Sequence, residues 1–123
     1  MAVTVSNIRL YPTKGVGASR VVAATITLDN SYANPGGYTV TAASLGFKII
    51  TGLIPTGLAV KSDNSAMIAP YAPYPAGTAA SPDATVYCYR ESGSKDATPQ
   101  LKQVTNATDL SAFSFPCLVI GVI

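Results

Sequence analysis

The chain has 123 residues, a net charge of +2, 48% apolar residues and only 11% charged ones, against a usual charged share of about a quarter. This suits one domain with its own core and argues against a disordered, self-repelling chain. The eight Lys and Arg residues never cluster, which argues against a phosphate-tracking stripe and hence against nucleic acid as a partner.

The opening, "MAVTVSNIRL", lacks the basic and apolar regions of a signal peptide, so a cytosolic origin is expected. Val3, Val5 and Ile8 open a first strand over 2–10, which "YPTKGVGAS" breaks. Over 19–29 the alternation is clearest: Val22, Ala24, Ile26 and Leu28 share one face, Val21, Ala23, Thr25 and Thr27 the other. In "DNSYANPGG", Pro35-Gly36 has the chemistry of a type II turn, and Tyr38–Val40 resumes an extended segment. "TAASLGF" reads as one helical turn, with Thr41 as cap and Gly46 as a left-handed stop. Phe47, Ile49 and Leu53 follow on a new strand.

"GLAVKSDNSAMIAP" reads as a hairpin turning at Asp63-Asn64. Residues 69–84, rich in Pro, Ala and Gly, read as an extended loop or arm with little reason to fold on its own core. "TVYCYRE" is a strand with Thr85, Tyr87 and Tyr89 on one face and Val86, Cys88 and Arg90 on the other. "SGSKDATP" is a polar turn, "LKQVTN" a strand, and "ATDLSAF" a helical turn capped by Thr108 or Asp109. "FSFPCLVIGVI" closes as a strand apolar on both faces, expected to be central and covered on both sides. Its longest apolar run, "CLVIGVI", is far short of the about twenty residues of a spanning helix, so no membrane partner is expected.

Short strands at this spacing, joined by Gly, Pro and Asn turns, predict an all-β fold. It is a single-domain antiparallel β-sandwich or barrel, jelly-roll-like, with one or two single-turn helices. No linker divides the chain.

No chemistry stands out. There is no histidine, and the carboxylates Asp29, Asp63, Asp83, Glu91, Asp96 and Asp109 fall in turns or loops. The sequence has no GxSxG elbow, phosphate loop, DxDxDG spacing or CxxC, so no catalytic residue, cofactor or metal site is expected. Cys88 and Cys117 read as two buried thiols, or as a bridge between neighbouring strands in an oxidising medium. The unusual inventory is seven tyrosines without a tryptophan. Tyr71, Tyr74, Tyr87 and Tyr89 are the candidate interface, because Tyr offers large amphipathic area at low entropy cost. Ordinary half-buried aromatics, or weaker sugar stacking, are the other readings.

Two stretches carry a resemblance. "SRVVAATITLDNSYANPGGYTVTAASLGF" (19–47) supplies Arg20, Val21, Val22, Thr27, Leu28, Asp29, Gly36, Gly37, Leu45 and Gly46. "VTNATDLSAFSFPCLVIGVI" (104–123) supplies Asn106, Thr108, Asp109, Leu110 and Ser111. On these residues the chain resembles small tailed-bacteriophage virion proteins, of the capsid decoration (cement) or minor head type. Residues 54–100 align with nothing in that group. The resemblance implies a structural, non-enzymatic protein on the capsid surface, made in the host bacterial cytoplasm. Its implied partners are itself, as a homo-oligomer with a trimer favoured, and the major capsid protein. Another phage β-domain (tail, head–tail or fibre-associated) and a glycan-binding β-sandwich are the alternatives.

Overall fold

The computed structural model describes residues 3–10, 19–91 and 101–123. The expected breaks at 11–18 and 92–100, with Asp96, lie outside them. Among the described residues the strands are β1 (Thr4–Leu10), β2 (Ser19–Thr27), β3 (Tyr38–Val40), β4 (Ile49–Pro55), β5 (Ala59–Lys61), β6 (Met67–Tyr71), β7 (Ala84–Glu91), β8 (Leu101–Gln103) and β9 (Phe113–Val122). They form one antiparallel ladder, β1-β2-β9-β5-β6-β7-β3, with β4 also on β9 and β8 also on β7. The ladder is not closed, so the fold is a β-sandwich rather than a barrel.

β9 is the axis. It pairs with β2 from Ser114 to Val122. Its other edge takes β4 from Cys117 to Val122 and β5 at Phe113 and Ser114. β6 makes the corner: Met67 and Ile68 pair with β5, while Ala69–Tyr71 pair with β7. Period-two alternation then builds the core. β2 buries Val22, Ala24 and Ile26, β9 buries Phe113, Phe115, Cys117 and Val119, and β7 buries Ala84, Val86 and Cys88, all within one cluster. The opposite face of β9 is not covered as expected. Leu118, Ile120 and Val122 are only half-buried and Pro116 is exposed.

Several local expectations shift by a residue. The positive φ of the "NPGG" turn falls on Gly37, not Gly36. Gly37 lies against β7, where a Cβ would come within 2.7 Å of the Val86 carbonyl oxygen. "TAASLGF" forms a 3₁₀ turn over Ala43–Leu45 that Gly46 ends in the left-handed region. Thr41 does not cap it by its side chain; Asp83 Oδ1 instead accepts the Ala42 N–H at 2.8 Å. "ATDLSAF" is not helical: Asp109 Oδ1 accepts the Ser111 N–H and hydroxyl, an Asx turn. The hairpin forms as read, with the Asn64 N–H donating to the Lys61 carbonyl.

Tyr32 and Tyr38 are fully buried and meet edge-to-face, with ring centroids 5.2 Å apart. The Tyr38 hydroxyl donates to the Asp29 carbonyl at 2.8 Å. The Tyr32 hydroxyl accepts the Cys88 backbone N–H at 3.0 Å and Gln103 Nε2 at 2.6 Å. Tyr32→Phe strands the Cys88 donor, which costs about 1–3 kcal/mol when such a group is buried. Urea denaturation should show that loss, and an unchanged midpoint would contradict the assigned role.

Cys88 and Cys117 are free and buried, on strands that are not neighbours in the ladder. Burial pushes the Cys88 thiol from 9.0 up to about 12 and the Cys117 thiol from 9.0 up to about 11. The unfolded chain therefore releases these protons first, and the stability they contribute is complete below pH 9.0 and lost towards pH 12. From neutral pH the urea midpoints should stay level up to pH 9 and fall above it. With Cys88→Ala and Cys117→Ala together, the decline should start higher, where Tyr32 and Tyr38, raised above 10.0 by burial, take over. The same onset in both proteins would contradict the assignment.

Candidate functional site

Register arranges the outward side chains of the β1-β2-β9-β4 layer in rows across the strands. One row is Ile49, Val122 and Ser19, and the next is Gly52, Ile120 and Val21. Then come Ile54, Leu118, Ala23 and Arg9, followed by Pro116, Thr25 and Ser6. The last is Ser114, Thr27 and Thr4. The face is thus apolar towards the C-terminal end of β9 and hydroxyl-rich towards its start. Ile54 is 46% exposed.

Two bulges set these rows. In β4 the register slips between Ile50 and Gly52, so that Ile50 and Leu53, three apart, both enter the core. This is why Ile49 lies outward while Leu53, four residues on, enters the core. In β1, Asn7 and Ile8 together oppose the single residue between Ala23 and Thr25. Without the extra residue, Arg9 would take core-facing parity; with it, Arg9 lies opposite outward Ala23. Ile8, expected to help open the strand, is 46% exposed at this bulge.

A groove of about 520 Å³ crosses these rows, lined by Asn7, Arg9, Ala23, Thr25, Thr56 and Leu118 with Pro116 in its wall. Its floor is low because Ala23 is small.

The four tyrosines do not make one patch. Tyr71 of β6 stands directly opposite Tyr87 of β7, and Tyr89 lies two residues along the same face. Tyr71 is 54% exposed, whereas Tyr87 and Tyr89 are half-buried. Tyr74 belongs to the other layer. Its ring lies over Gly52, where a Cβ would come within 3.0 Å of it, and Ile120 flanks the same spot. The ring is nonetheless 75% exposed.

The 69–84 segment is correspondingly not a free arm. Residues 69–71 belong to β6 and residue 84 opens β7. Between them the backbone is tied to the outer edge of β4. The Ala76 N–H donates to the Thr51 carbonyl, the Gly77 N–H to the Ile50 carbonyl, and the Ile50 N–H to the Pro82 carbonyl. Ala72 and Ala76 pack on the core. Proline content removes some donors, but Ala76 and Gly77 use theirs on the sheet, and Thr78 and Ser81 bond within the loop.

Among the described carboxylates, Asp63, Asp83 and Asp109 each accept a backbone N–H. Asp63 and Asp109 are held below the ordinary carboxylate range by hydrogen bonds from the hydroxyls and N–H groups of Ser65 and Ser111. Asp83 accepts the Ala42 N–H. Among the described residues no three His, Cys, Asp or Glu side chains gather as a metal site. No described helix is long and apolar enough to cross a membrane. The groove and the tyrosine face are suited to contact. Arg9 and Asn7 were not singled out from sequence, since only a bulge brings them to the groove.

Comparisons of the chain with protein-family models, with curated proteins and with solved structures return no match.

Since Tyr71 and Tyr74 expose most of their surface, Tyr71→Ala with Tyr74→Ala should lower stability by less than about 1 kcal/mol, the range of surface substitutions. Thermal melts check this, and a loss of several kcal/mol would place the rings in the core.

Proposed function

We propose that the chain is a capsid decoration (cement) protein that binds and stabilises a phage head lattice from outside, as a homo-oligomer with a trimer favoured. Its partners in this reading are copies of itself and the major capsid protein. The observation that carries it is a charge-poor ladder with contact surface on both outward faces. One face has the Ile54, Leu118, Ile120 and Tyr74 cluster, the other the Tyr71–Tyr87 pair. Exposed apolar area of this kind marks interaction sites. A lattice protein used in many copies gains from few charges that repel neighbours and from rigid turns. The resemblance of residues 19–47 and 104–123 to phage virion proteins points the same way.

The test is to add the purified chain to heads that lack it and image the particles. Density at three-fold or quasi-three-fold positions is expected, with heads that resist heat better. Density confined to the tail would favour the tail-associated alternative. Absence from particles together with saturable sugar binding would favour a glycan-binding role.

A further inference from the structure

The groove across the β1-β2-β9-β4 layer has a definite chemical order. Reading across the strands, a ligand meets aliphatic Leu118, with Ile54 beside the groove in the same row, then the low floor at Ala23, then the guanidinium of Arg9. Thr25 and Thr56 supply hydroxyls and Asn7 an amide. Arg9 is exposed, and among the described residues no acidic side chain lines the groove. Asp63 and Asp109 are each engaged with a serine in their own turns, and Asp83 caps the Ala42 N–H. The groove thus runs from an apolar part, Leu118, Pro116 and Ala23, to a cation at Arg9 that meets no acidic side chain among the described lining residues. The β1 bulge, with Asn7 at φ 51°, is what turns that cation outward. Bulges re-aim side chains beside binding sites in this way.

We propose that this groove receives an extended segment of the shell protein, one with aliphatic side chains and a carboxylate that pairs with Arg9. The inference rests on the decoration reading for the source of the segment. Dimensions favour a segment over a globular partner. Four strands span three spacings of about 4.8 Å, roughly 14 Å, which four or five extended residues at about 3.3 Å each would cross. Two rows of side chains offer much less than the about 800 Å² per partner of a standard two-body interface. Charge fixes the rest: an arginine at the end of an apolar track selects a carboxylate, which its planar donors can take by two hydrogen bonds.

The experiment titrates the 15N-labelled chain with acetyl-Leu-Val-Ile-Asp-amide and with its Asn counterpart. Saturable shifts are expected at Arg9, Ala23, Thr25 and Leu118. The acidic peptide should bind about threefold or more tightly than the neutral one, the size an exposed ion pair gives. Arg9→Gln should abolish that preference while leaving the spectrum folded. Ala23→Leu, which fills the floor, should weaken both peptides. Scattered or absent shifts, or an undiminished preference in Arg9→Gln, would overturn the groove.

A second arm sediments wild type and Arg9→Gln with heads lacking the protein. Weaker binding by the variant is expected. Equal binding by both overturns the groove and leaves the decoration reading standing. If wild type fails to bind heads yet still selects the acidic peptide through Arg9, the shell as source is overturned and so is the decoration reading.

Discussion

The Tyr32 hydroxyl holds the smaller layer together. Along one edge of β7, β3 pairs as far as Val86 and β8 pairs from Tyr89. Cys88 falls in the gap between these two short strands. Its carbonyl accepts the Val104 N–H, and its N–H would have no ladder partner. Tyr32 closes the gap by accepting that N–H and the side chain of Gln103. A buried, unpaired backbone donor is among the costliest local defects a sheet can carry. The same geometry explains Pro70. It lies opposite Cys88 on the other edge of β7, where no donor is needed because both polar groups of Cys88 turn towards Tyr32 and Val104.

The loop that presents Tyr32 is in turn fastened to the approach to β9. The Tyr32 N–H donates to the Thr108 carbonyl, the Ala107 N–H to the Tyr32 carbonyl, and the Leu110 N–H to the Asp29 carbonyl. Asn34 donates its side-chain amide to the Val104 carbonyl and its backbone N–H to Asn106 Oδ1. So residues 19–47 and 104–123, far apart in sequence, form one unit in space. Their Asp, Asn, Thr and Gly residues satisfy backbone groups and shape turns.

The alternation of β2 and β7 was legible because each buries one clean face: Val22, Ala24 and Ile26 in one, Val86 and Cys88 in the other. The Asp63-Asn64 hairpin was legible from its turn chemistry. The bulges were not. A two-against-one mismatch in β1 depends on the partner strand, which local sequence does not contain, and it decides where Arg9 points. Composition also misled at 69–84. Proline and alanine suggest an arm without a sheet to join, but the N–H groups of Ala76 and Gly77 find the edge of β4. The outer face of β9 erred in the opposite direction. Continuous hydrophobicity over "CLVIGVI" suggested cover on both sides, and half of those side chains remain partly open.

These corrections share one physical logic, which concerns how the sheet treats its edges and its faces. An open edge invites pairing with any extended chain, and stable proteins block it. Here the outer edge of β4 is occupied by residues 76–82. The edge strand β1 carries a bulge that interrupts its ladder. Edge-on addition is thereby disfavoured at both sides of the larger layer, while the face between them keeps its apolar rows. Whatever approaches this layer meets side chains rather than free backbone, Arg9 among them. The bulge serves both ends at once, since the extra residue that spoils the edge also moves the guanidinium onto the face.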